Sequence, residues 1–225
     1  MVAVFAAVYS RSEYHYEMAR LSFESDRGGF RHLPHLKAAR ALDPKNPFVF
    51  ALSAHAQVSG ILPEMQLPAR RQALAQADAY FEKARELYRQ DIFAAIGHAA
   101  VLDELERPGE ALDRLREARR MAPLYGNLMQ AEAEHYLRTG RIVEAEQSFA
   151  DAYRANAFRN TEAARQGLAT VTEWKLIAER NGIDWRTAPD AIESEPLLAQ
   201  PGSYRSMPEA KVVERDLAGK AEGKR

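Results

Sequence analysis

The chain has 225 residues, 46% hydrophobic and 28% charged, which is enough apolar content for one sizeable core. Lys and Arg total 31 against 32 Asp and Glu, and a net charge of -1 speaks against an electrostatic nucleic-acid binder. The absence of cysteine excludes a disulfide framework, a thiolate metal site and a catalytic thiol, while leaving the compartment open.

The first residues, Met1-Val2-Ala3-Val4-Phe5-Ala6-Ala7-Val8-Tyr9, form an apolar run that Ser10-Arg11 ends. It has roughly half the length of a membrane span and lacks the basic flank of a signal peptide. Two readings stay open: the first turns of a helix packed on the first repeat, or the last half of a membrane helix. Next, Phe23, Leu36 and Ala39 flank a turn at Asp26-Arg27-Gly28-Gly29, and Asp43-Pro44 closes the second helix of the pair. His32 stands where a small residue is expected, which implies a looser contact between those helices. A second pair runs from Asn46-Pro47-Phe48 to Ala77, Phe81 and Ala84, with about 12 extra residues between its helices, from roughly Gly60 to Arg71. This apolar, Pro-broken insertion must tuck onto the repeats or meet a partner.

The clearest pattern lies in 91–157. Adding 34 to the positions of Ala99, Leu102, Ala111, Leu115 and Ala118 gives Ala133, Tyr136, Ala145, Phe149 and Ala152, which keep the size classes. Only the closing Pro123 changes, to Ala157. Glu106-Arg107-Pro108-Gly109 and Arg138-Thr139-Gly140-Arg141 fall at the turns, where glycine supplies a left-handed residue or a tight reversal. A capping helix follows from Asn160 or Thr161 to about Arg180, with an apolar stripe at Leu168, Val171, Trp174 and Ile177. Asn181-Gly182 ends it, and Trp185 is expected to fold back onto it. Beyond Thr187, Pro189, Pro196, Pro201 and Pro208 interrupt any helix, so 187–225 reads as a poorly ordered tail.

This arrangement of small, aromatic and large apolar residues resembles the tetratricopeptide repeat (TPR) family. The resemblance implies an all-α helical-repeat solenoid of about four helix pairs plus a capping helix. The expected organisation is an apolar segment 1–12, a solenoid 13–186 and the tail 187–225.

Nothing in the chain reads as an active site. His15, His32, His35, His55, His98 and His135 lack the spacing of a metal-binding helix, and Pro34 separates the nearest two. The carboxylates Asp103-Glu104, Glu132 and Glu134 read as solvated helix surface. There is no phosphate loop or nucleophile elbow. No catalytic residue, metal or cofactor is therefore expected.

The family resemblance instead directs attention to a groove lined by the first helix of each pair. It assigns Glu17 and Leu21, Phe50 and Gln57, Phe93, Ile96 and Asp103, Asn127, Gln130, Glu134 and Arg138, and Arg165 to that groove. Some members clamp a C-terminal carboxylate with Lys and Asn at fixed positions. Here Ile96, Ala100, Gln130 and Glu134 occupy those positions, so that clamp is missing. The expected partner is a protein or an extended or helical peptide, not nucleic acid, held on a non-enzymatic scaffold. A second resemblance rests on Ser12-Glu13-Tyr14-His15-Tyr16-Glu17-Met18-Ala19-Arg20 after the apolar run. It is similar to the junction before TPR repeats in bacterial O-antigen ligases and polysaccharide polymerases. That would make the chain an accessory C-terminal domain attached to the membrane and facing the periplasm. Otherwise a cytoplasmic scaffold is expected.

Overall fold

The computed structural model describes residues 2–25, 31–62, 65–156, 161–182 and 184–186, without the side chains of 2–10. Among these residues there are nine helices and no strand: α1 (Val2–Ser25), α2 (His32–Leu42), α3 (Pro47–Ser59), α4 (Leu67–Leu87), α5 (Ile92–Glu104), α6 (Pro108–Met121), α7 (Gly126–Arg138), α8 (Ile142–Ala155) and α9 (Glu162–Arg180). The apolar side chains of the first nine residues, the turn at 26–29 and the tail 187–225 lie outside the described residues.

Local chemistry explains several helix starts. The Asn46 side chain accepts a hydrogen bond from the Phe48 amide and Asp91 accepts from Ala94, each satisfying a donor left open in the first turn. Pro47, Pro68 and Pro108 occupy first-turn positions, where a missing N–H costs nothing.

The helices pair as α1/α2, α3/α4, α5/α6 and α7/α8, and α9 packs on both α7 and α8 as the next odd helix would. Each odd helix also touches its odd neighbour, so the odd helices form one layer and the even helices the other. Alanines set the close approach. Ala39, Ala54, Ala77, Ala99, Ala111, Ala118, Ala133, Ala145 and Ala152 are at most 2% exposed. Leu36, Phe81, Leu115 and Phe149 are each 1% exposed, and burying one such side chain is worth roughly 1.5–3 kcal/mol.

A second regularity appears at the α2–α3, α4–α5 and α6–α7 junctions, where a polar side chain is buried against a polar partner. Arg40 donates to Ser53 at 2.5 Å, His98 meets Asp78 at 2.8 Å, and Arg119 approaches Glu132 at 3.4 Å. Ser53, His98 and Glu132 are all at most 9% exposed; Ser53 and His98 are hydrogen-bonded, which offsets the cost of burying them, whereas Glu132 has only the charge of Arg119 beside it.

Three local expectations change. The insertion is only partly a loop, because α4 starts at Leu67 and reaches 21 residues, against 14 in both α6 and α8. Ile61 is buried and Met65 partly so in the α3–α4–α5 core, which tucks the loop in, while Leu62 and Leu67 remain exposed. At the α5–α6 turn the left-handed residue is Glu106 (φ 60°), the counterpart of Gly140 (φ 70°), and Gly109 lies inside α6. The same bonding closes both turns: the Arg107 amide donates to the Leu102 carbonyl, as Arg141 does to Tyr136. Finally, the His32 ring is buried and sits edge-on against Phe23 at 5.3 Å, filling the space that a small residue would leave. Downstream, Trp185 packs on the α7–α8–α9 core and its Nε1 donates to Glu179.

Candidate partner-binding face

Helical spacing of three and four residues places Phe93, Ile96, Ala100 and Glu104 on one face of α5, and Asn127, Gln130, Glu134 and Arg138 on the same face of α7. Phe93, Ala100, Glu104, Asn127 and Arg138 are exposed, and Ile96, Gln130 and Glu134 are half-buried. On α1 the matching stripe is Tyr14, Glu17, Leu21 and Ser25, all exposed, with the exposed Glu24 beside it. Arg165 is exposed on α9 and is paired with Glu162 at 2.6 Å.

The register of α3 differs from expectation. Phe50 packs against α4, its ring 6.3 Å from that of Tyr80, and Ala54 is fully buried. Gln57 is half-buried and lies on the Phe50 and Ala54 side of the helix. The residues of α3 at the α5 positions are Phe48, Ala51, His55 and Ser59, each 45 places before its counterpart. Phe48 is the exposed one.

Asp103 is also not a free groove carboxylate. Its side chain is 6% exposed and accepts from His135 Nδ1 at 2.9 Å, with Arg138 at 3.8 Å. The pair pins α5 to α7. The two residues lie 32 positions apart in sequence, so no local pattern signals the pair.

The polar groups that remain on the face are partly neutralised. Arg20 donates to both Glu17 (2.8 Å) and Glu24 (2.7 Å), and Glu104 pairs with Arg70 of α4. Glu134 accepts from the neutral amide of Gln130 at 3.0 Å.

One cluster has donor types suited to a metal. Asp78, Glu82 and His98 bring ligand atoms within 4.8 Å of one another. However, Arg107 lies 2.6 Å from Asp78, and Arg85 and Arg114 lie 3.0 and 3.3 Å from Glu82. These guanidiniums already supply the positive charge, which fits an ion-pair network tying α4 to α5 and α6 and not a cation site. Burial lowers the pKa of His98 despite the neighbouring carboxylates, which disfavours protonation of its ring.

No protein-family model matches the chain, and a search of curated proteins yields no match. Solved structures do match. TTC0263, a thermophilic TPR protein of Thermus thermophilus, superposes with a TM-score of 0.64 at 20% identity, covering 72% of this chain and 81% of that one. PilF of Pseudomonas aeruginosa superposes with a TM-score of 0.61 at 18% identity, covering 95% of this chain and 90% of that one. With its repeat packing, this makes the chain an all-α helical-repeat protein with the tetratricopeptide fold. Among the described residues no helix is long and apolar enough to cross a membrane.

Proposed function

We propose that the chain is a non-enzymatic scaffold that holds a peptide or partner segment on the face built by α1, α3, α5 and α7. The observation that carries this reading is the alignment of equivalent side chains from successive odd helices on one surface, with Phe93 65% exposed at its middle. The tetratricopeptide fold typically serves protein–protein interaction, which supports the same reading. The ionisable pairs that look most like chemistry, Asp103–His135 and Asp78–His98, are spent on holding helices together. They do not open onto the face.

The test is selection of binders from a random peptide display library on the immobilised full chain. Selected peptides are expected to compete for one site and to lose affinity on Phe93→Ala or Ile96→Glu. Enrichment of no peptide, or of peptides indifferent to both substitutions, would count against a groove.

The alternative, an accessory domain of a membrane O-antigen ligase or polysaccharide polymerase, rests on the passage Ser12–Arg20 after the apolar run Met1–Tyr9, and the side chains of that run lie outside the described residues. Liposome flotation of the chain with and without residues 1–9 separates the two. Flotation that depends on that segment favours the membrane reading, and its absence counts against it.

A further inference from the structure

His15 of α1 and His35 of α2 meet across the first helix pair with their Nδ1 atoms 3.0 Å apart. Both are half-buried, their ring centroids are 5.3 Å apart, and Tyr14 packs edge-on against each ring. Two like nitrogens at this distance cannot both carry hydrogen, so one Nδ1 donates and the other accepts. Among the described residues neither ring has a second hydrogen-bond partner, so nothing fixes the tautomer of either one. The contact differs from those of His98 and His135, each of which faces a carboxylate, Asp78 and Asp103. The two residues lie 20 positions apart and in different helices, so no helical spacing in the sequence signals them.

Imidazole nitrogens converging from two helices make a chelating pair for a late first-row divalent ion. Bonds from such an ion to imidazole are about 2.0–2.1 Å, so two ligating nitrogens stand about 2.9 Å apart at a right angle and about 3.3 Å apart at a tetrahedral one. The separation of 3.0 Å lies nearer the right angle, the geometry of tetragonal Cu(II) and Ni(II). The two Nδ1 atoms face each other, so both rings must turn to aim at an ion beside the line that joins them. The torsion that turns a histidine ring is soft. On binding, the donor ring moves its hydrogen from Nδ1 to Nε2 through solvent, and the ion takes the place of the shared hydrogen. At Asp78, Glu82 and His98 guanidiniums already fill the electrostatic role of a cation. Here no arginine or lysine hydrogen-bonds to either ring among the described residues. Arg11 and Arg31, one turn before each histidine, are exposed, and solvent screens their charge.

We propose that His15 and His35 form a two-imidazole site for divalent copper or nickel that clips α1 to α2. The one group of three or more ligand-bearing side chains among the described residues is Asp78, Glu82 and His98, so water completes the coordination at His15 and His35. Copper binds more tightly than nickel, as the general order of divalent affinities requires. The site is independent of the peptide-binding reading above.

Electron paramagnetic resonance of the untagged full chain with one equivalent of Cu2+ tests it, and is expected to show two equatorial imidazole nitrogens. Titration against glycine as competitor gives the affinity. His15→Gln and His35→Gln should each weaken Cu2+ binding by at least about tenfold, the loss that even an outer-shell change brings. His98→Gln should leave it unchanged. Cu2+ should also raise the melting temperature of the parent, and each of the first two variants should lose that shift. Circular dichroism checks that the variants fold. Where one of them does not, the other variant and the spectrum of the parent decide. A spectrum with one imidazole nitrogen or none would overturn the proposal. So would an affinity that both His15→Gln and His35→Gln leave at the parent's value, or one that falls on His98→Gln instead.

Discussion

Gly167 of α9 lies so close to Phe149 of α8 that a β-carbon added there would stand 2.2 Å from the ring's Cε1. The same relation holds between α5 and α4, where a β-carbon on Gly97 would come within 2.7 Å of Phe81. At the intervening junction the large residue is Leu115 and its counterpart is Ala131, both in one core cluster. Phe therefore faces Gly, and Leu faces Ala. At the α2–α3 junction the equivalent residues are Leu36 and Leu52, so the size match is confined to the three later junctions.

Gly167→Ala is expected to destabilise the fold by about 1–3 kcal/mol through overpacking. Phe149→Leu removes ring volume and should recover part of that loss in the double variant. Denaturant unfolding of the two singles and the double measures the coupling. Additive losses would show that the two residues do not constrain each other.

Glu106→Gly should raise stability. Glu106 holds φ 60°, which costs a side-chain-bearing residue about 1 kcal/mol, whereas glycine adopts it freely. Gly140→Ala, at the equivalent turn, should lower stability by a similar amount. Thermal melts of both variants check the pair, and shifts in the same direction would refute it.

Ala111 and Ala145 are 0% exposed at the close helix approaches. Glu at either position must be overpacked and desolvated, at a cost of about 3 kcal/mol or more. A melting temperature unchanged by both substitutions would contradict the repeat register.

Two buried groups give the stability pH dependences of opposite sign. Burial lowers the His98 pKa from its ordinary 6.5. As pH falls through 6.5 the unfolded chain takes up a proton that the native state resists, so stability falls below that pH. Burial raises the Glu132 pKa above its ordinary 4.5, against the pull of Arg119. There the unfolded chain ionises first, so this contribution is lost as pH rises from 4.5 through the native value. His98→Gln keeps a donor for Asp78 and removes the first effect. Its urea midpoint should vary less than that of the parent between about pH 7 and 5.5. An unchanged slope would mean that His98 does not titrate differently on folding.

The repeat architecture is legible in the sequence because alanine at two positions of a helix hairpin, with a large residue between them, leaves a 34-residue imprint from Ala99 to Ala152. The stripe on α3 is harder to read. Pro47-Phe48-Val49-Phe50-Ala51-Leu52-Ser53-Ala54 is apolar on every side, so periodicity does not separate the exposed Phe48 from the packed Phe50. The alignment of Phe48 with Phe93 is the available signal, and the insertion that changes their spacing from 34 to 45 hides it. Asp103 reads as surface because its partner, His135, belongs to the next repeat and reaches it only once α5 and α7 have packed. Glu106 stands where glycine is expected, and the Arg107-to-Leu102 backbone bond closes that turn without one.

Binding of partners on the layer of odd helices is tested most directly by hydrogen-exchange mass spectrometry of the full chain, with and without a library-selected peptide. Slowed exchange is expected along the exposed stripes of α1, α3, α5 and α7, strongest around Phe93, with α2, α4, α6 and α8 unchanged. Protection confined to the even helices would contradict a partner held on the odd-helix face.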